Sequence, residues 1–159
     1  MDATDPRLRR QALSPAGLAG WTWGVLDLDE VLVHPQDVLS GGGMAMLRGH
    51  FAAYRPLVTS TALGAAATVF DTVTTNLTDR HADGRISRIR DSSLVGLGRG
   101  HARLVTALLG AAAASRLAAV GDERAELFGC VMKAHGVDTA HRVVADLAVL
   151  LGAAGFQSS

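Results

Sequence analysis

Six histidines, one cysteine and fifteen carboxylates are the groups through which this 159-residue chain could do acid–base, nucleophilic or metal chemistry. The nearest approach to a metal motif is Asp138-Thr139-Ala140-His141, whose i, i+3 spacing resembles the Glu-x-x-His of di-metal carboxylate bundles. Such a centre needs two of these motifs plus a Glu from each of two other helices, and the second predicted helix has no acid after Asp91. That reading fails. His101 and His141 fall on predicted apolar stripes, the setting of neutral core histidines bonded to backbone or water; a working pair would have to face one cavity. His135 and Asp138, three apart, read as a local surface contact. Cys130 lies in an apolar stretch and is expected to be a buried small hydrophobe. A single cysteine excludes an intrachain disulfide and a cysteine-based zinc site. Gly96-Leu97-Gly98-Arg99-Gly100 is GxGxG, but it lies inside a helical stripe and follows no strand, so it is no dinucleotide fingerprint. A glycine inside a helix costs up to about 1 kcal/mol against alanine, so these three are expected to mark close approach by another helix or a ligand. No GxSxG, Walker motif or catalytic triad is present.

The elements that would position these groups follow from composition and period. Hydrophobic residues are 48% and charged residues 19%, which excludes a disordered chain. Fifteen basic residues balance fifteen acidic ones, leaving no surplus for a phosphate backbone, so nucleic-acid binding is not expected. The segment Met1 to Ala12 has no apolar core of a signal peptide. The longest apolar runs, such as Leu104 to Ala114, are about half the roughly 20 residues of a membrane span. A soluble cytoplasmic protein without membrane contact is expected. Aromatics are only 4%, so the core must come from Ala, Leu and Val, which suits closely packed helices.

Residues 1–20 read as an irregular lead-in with Pro6, Pro15, Gly17 and Gly20. From Trp21 to Pro35, Leu26 and Leu28 alternate with Asp27 and Asp29, and Val31 alternates with Val33, predicting a half-buried strand or bulged pair ended by Pro35. This strand segment covers 21–40. Ser40-Gly41-Gly42-Gly43 is a break. The period then becomes helical, and 44–159 is predicted to be a helical-bundle domain. The first stripe is Val58, Thr61, Ala65, Val69, Val73 and Leu77. Either this helix begins at Pro56 or a longer one from Met44 passes through it. After a turn at 81–84, a second helix capped by Asp91 or Ser92 carries Leu94, Leu97, Leu104, Leu108 and Ala111. Gly121 fits the residue past its end and Asp122 the next cap. The third, with Leu127, Val131, Ala134, Val144 and Ala148, runs to about Leu151 and stops at Gly152. Three such helices leave a groove open for a fourth.

Read in order, these residues resemble the C-terminal part of the acyl-CoA dehydrogenase family over about 130 residues. Leu26-x-Leu28-x-x-Val31-x-Val33-x-Pro35 resembles the last strand of that family's β-domain, and Gly41-Gly42-Gly43 its glycine-rich entry to the helical domain. Arg55-Pro56-Leu57-Val58 and Ala62 to Ala66 are similar to its first long helix. Arg80 and Gly84 are similar to its Arg-x-x-Phe-Gly turn, and Gly152-Ala153-Ala154-Gly155-Phe156 resembles the close of its third helix. The resemblance implies a mainly α fold: an up-down helical bundle preceded by a short β segment. It further implies FAD, which takes hydride from an acyl thioester while a carboxylate takes the α proton. Arg80, Gly152 and Ala153 would contact FAD of a neighbouring subunit. Arg55 and Tyr54 would lie near the thioester. The partner would be a second copy or a larger acyl-CoA dehydrogenase-like subunit.

The departures from the family pattern concern its chemistry. Most of the β-domain and the N-terminal helical domain have no counterpart here. The base some members carry just before the Arg matched by Arg55 is Tyr54, and the phenylalanine of the turn is Asp83. Asp91 and Val149 stand where flavin-bonding glutamines are expected. No catalytic residue is therefore assigned. The expectation is an acyl-CoA dehydrogenase-like flavoprotein domain or subunit, incomplete on its own. The alternatives are a non-catalytic or repurposed bundle acting through a partner or a small hydrophobic ligand, and a relative of the flavin-dependent monooxygenase branch.

Overall fold

The computed structural model describes residues 4–14 and 22–156, with side chains described as far as residue 152. Two compact units divide the chain, Met1–Gly43 and Met44–Ser159. The first unit holds an antiparallel pair, β1 (Leu8–Leu13) and β2 (Trp23–Leu28), with Leu8 opposite Leu28 and Leu13 opposite Trp23. The lead-in expected to be irregular thus contains a strand. Its sequence, Leu-Arg-Arg-Gln-Ala-Leu, lacks the β-branched alternation that marks a strand, and it is defined by its pairing with β2. The expected start at Trp21 lies outside the described residues.

β2 is shorter than the sequence predicts. Glu30 adopts φ 50°, which takes the chain out of the extended region, and Pro35 opens a short 3-10 turn, Pro35–Asp37. Every β2 side chain is exposed, so the expected half-buried strand is corrected: Leu26 and Leu28 gain no cover within this unit. A two-stranded hairpin is marginally stable at best in water. Local polar contacts support this one. The Asp5 carboxylate accepts from the Arg7 backbone at 2.9 Å and from its guanidinium at 2.8 Å. The Arg7 hydrogen bonds hold that carboxyl below its ordinary value.

The second unit is helical: α1 (Gly43–Ala82), α2 (Asp91–Ala119) and α3 (Ala125–Ala148), followed by a 3-10 stretch, Val149–Phe156. α1 is the longer of the two alternatives, because Pro56 lies within it and is buried. A proline there removes the bond its N–H would make to the Ala52 carbonyl, and the flanking helix carries the break. The cap of α2 differs from expectation. Arg90 occupies the cap position without a side-chain bond, and Asp91 sits in the first turn, where negative charge suits the helix dipole. The end of α2 is as expected. Gly121 takes φ 68°, its N–H reaches the Ala118 carbonyl at 3.2 Å, and Asp122 N–H reaches Leu117 at 3.0 Å. This Schellman closure requires a left-handed residue. Asp122 then folds over the start of α3, accepting from Arg124 N–H at 2.9 Å and from its guanidinium at 2.7 Å. Those Arg124 bonds hold its carboxyl well below the usual carboxylate range.

Small residues recur at steps of three and four on each helix and form the contacts. The buried positions are Ala52, Pro56, Thr59, Leu63, Ala66, Val73 and Leu77 on α1, and Gly100, Leu104, Ala107, Ala111 and Ala114 on α2. On α3 they include Gly129, Gly136, Ala140, Val143 and Leu147. A side chain built at Gly129 would meet Ala52, and one at Gly136 would meet Thr59 and Leu63, so α1 and α3 advance in the same direction. Gly110 faces Met132, and Gly100 faces Val143 and Leu147, so α2 runs against α3. The predicted stripes share Val73, Leu77, Leu104 and Ala111 with this seam. Thr61, Ala65, Leu94, Leu108, Leu127, Val131 and Ala134 lie off it and are exposed. The reason is volume: the sequence pattern weights large side chains, whereas close axes select small ones. Of the glycines at 96–100, Gly100 lies against the neighbouring helices as expected, whereas Gly98 does not. Nothing stands within 4 Å of a side chain built at Gly98, and Gly100 leaves ordinary contact distance to Val143, 3.6 Å. The tight approach is at Gly136 instead.

By length and composition α1 and α2 could each cross a membrane, with 18-residue windows of mean hydropathy 1.2 and 1.3. The uninterrupted runs counted in the sequence did not show this, because isolated polar residues divide them.

Two glycine substitutions separate packing from helix propensity. Gly98→Ala should stabilise the fold by about 0.5–1 kcal/mol, the propensity gain at an open position. Gly136→Ala should destabilise it by about 1–3 kcal/mol, because the new methyl overlaps the Thr59 methyl. Urea unfolding of both variants checks this, and a Gly136→Ala protein as stable as Gly98→Ala would contradict the seam.

Candidate functional site

Each pair of helices leaves a groove. The α1/α2 groove is about 400 Å³ and includes Leu63, Phe70, His101, Leu104 and Leu108. The α2/α3 groove is about 240 Å³ and is bordered by Arg103, His135 and Thr139. The α1/α3 concavity, about 580 Å³, carries the most chemistry: Arg55 on one wall, and Cys130, Lys133, Val137, Asp138 and His141 on the other. Its volume is within the roughly 300–1,000 Å³ of small-molecule sites.

Arg55 is positioned from three sides. Its stem lies over Gly129, whose missing side chain leaves room for it. Its backbone carbonyl accepts from the Thr59 hydroxyl at 2.9 Å. Its guanidinium carbon sits 5.3 Å from the centre of the Phe51 ring, a cation–π contact one helical turn away. The Nη1 atom is buried and makes no hydrogen bond. A buried donor left unpaired costs about 1–3 kcal/mol, and more when charged. On α3 the lining residues fall every three or four positions and so share one face. Asp138 is spent on Arg142, 3.0 Å away. Among the described residues no ion pair involves Lys133 or His141. The concavity is therefore net cationic.

The other predicted site residues lie elsewhere. Arg80 is half-buried near the end of α1, where its carbonyl accepts the Ile86 N–H at 3.1 Å. Gly152 adopts φ 62° and ends the helical course of α3; Ala153 follows, its side chain outside the described residues. Phe70 and Val143 both face Gly100, so Arg80 and Gly152 come to the same end of this unit. Tyr54 and Arg55 are 25 residues earlier on α1, about 37 Å along a helix axis. Tyr54 stacks on His50 with ring centres 5.5 Å apart. Arg80 and Gly152 thus lie toward the same end of the unit, and Tyr54 and Arg55 lie far from them. Asp83, the departure in the turn, is neutralised by Arg85 at 2.6 Å.

Three expectations are corrected. Cys130 is exposed, because Gly129 takes the seam position beside it and turns the next residue outward. His101 and His141 are exposed as well, and they face different grooves, so they form no pair. His101 lies 5.7 Å from the Phe70 ring. Asp138 pairs with Arg142 rather than contacting His135. Sequence reasoning had not gathered Lys133, Cys130 and His141 into one site. The signal was there in their helical spacing, 130-133-134-137-141, opposite an arginine on another helix. No group of three or more metal-ligating side chains occurs among the described residues. No family model, curated protein or solved structure matches the chain.

Proposed function

We propose that this chain is the helical domain or subunit of an acyl-CoA dehydrogenase-like flavoprotein, an FAD-dependent oxidoreductase acting on acyl thioesters, completed by a further chain. The observation that carries the reading is the arrival of Arg80 and the left-handed Gly152 at one end of the helical unit. A guanidinium gives bidentate phosphate contacts, and a glycine turn lets backbone approach a cofactor closely. Bound flavin would supply the hydride acceptor. The order of hairpin, glycine break and three alternating long helices supports an up-down bundle attached to the remnant of a β-domain. Tyr54 stands where some family members carry a carboxylate base, so this chain alone would not dehydrogenate acyl-CoA. A soluble cytoplasmic setting belongs to the same proposal.

A second reading is a repurposed bundle that works through a partner subunit or a small hydrophobic ligand. It is favoured by large apolar side chains on outer faces, with Leu109 66% and Leu127 70% exposed. Such patches mark interfaces.

Titration with FAD, followed by flavin fluorescence, tests the first reading. Arg80→Ala should weaken binding about tenfold or more, the range of a charge-assisted hydrogen bond, while the exposed Arg99→Ala leaves it unchanged. Equal binding by both variants, or none by the parent, would overturn it. For the second reading, sedimentation should show association that grows with concentration. A clean monomer across the micromolar range would count against it.

A further inference from the structure

We propose that the α1/α3 concavity is a binding site for a small organic anion, a carboxylate carrying a short apolar chain. The site goes beyond the flavin reading, since it lies at the other end of α1 from Arg80 and needs no cofactor. The first support is Arg55 itself, which lines the concavity with its stem over Gly129 and its guanidinium over the Phe51 ring. The planar fork of a guanidinium fits the geometry of a carboxylate.

The second support is the charge of the opposite wall. Lys133 and His141 face the same space, and the single acid there, Asp138, is committed to Arg142. An entering anion therefore meets Arg55 and Lys133 and no uncompensated carboxylate. The third support is the apolar remainder of the lining, Ala134 and Val137, which receives an alkyl chain but offers nothing to a second charged group. That lining favours a fatty or branched short-chain carboxylate over a free inorganic anion.

Isothermal titration of the full chain with sodium octanoate tests the site, with 1-octanol as the uncharged probe. Octanoate should bind saturably, and octanol at least about tenfold more weakly, since charge-assisted hydrogen bonds account for a difference of that size. Arg55→Met should weaken octanoate about tenfold or more, and Lys133→Met severalfold. Arg48→Met, an exposed arginine on the same helix, should leave affinity unchanged. Far-UV circular dichroism reports whether each variant is folded. Should Arg55→Met not fold, Arg55→Lys keeps the charge, loses the planar fork and should still weaken binding. Absent octanoate binding, equal affinity for octanol, or affinity unmoved by folded Arg55 and Lys133 variants would each overturn the proposal.

Discussion

Helix axes approach closely only where small side chains face one another, and the helical unit depends on where those side chains fall. Gly129 against Ala52, Gly136 against Thr59 and Gly100 against Val143 fix the relation of α1, α2 and α3. The spacing of three and four residues keeps each small face toward its neighbours over several turns. Leu63, Val73, Leu104, Val143 and Leu147 fill what space remains between those contacts. Surface charge adds little: the Arg103–Asp146 bridge between α2 and α3 is 2.8 Å long but exposed, and such pairs contribute about 0–1 kcal/mol.

That constraint has two consequences. Seam positions held by Gly, Ala and Thr leave many of the large apolar residues for outer faces, which is why Leu108, Leu109, Leu127 and Val131 are exposed while Ala107 and Ala114 are fully buried. The same close approach of α1 to α3 places Arg55 over Gly129, where it lines one concavity with Lys133 and His141. The exposed apolar faces and the cationic concavity therefore have one origin.

The three helices were legible in the sequence because their period is sustained and their ends carry strong signals, Gly121 and Gly152 above all. The buried face was less legible. In an alanine-rich helix hydropathy is high all round, and several of the larger stripe residues, such as Leu94, Leu108, Leu127 and Val131, point away from the seam. β1 was illegible because its residues have no strand character apart from their pairing. For the candidate site, Arg55 was visible as a residue, but its partners became visible only when α3 was laid alongside α1. Cys130 was misjudged for a related reason: an apolar neighbourhood in sequence does not state which side of a helix faces the seam.

Disulfide cross-linking tests the seam most directly, in a Cys130→Ser background. Ala52→Cys with Gly129→Cys should oxidise readily to an intramolecular bridge, because a side chain built at Gly129 comes within 4.0 Å of Ala52. Ala52→Cys with Val143→Cys should not, because those positions lie at different levels of the parallel pair. Cross-linking of the second pair in preference to the first would contradict the arrangement of α1 and α3 on which both the concavity and the exposed apolar faces depend.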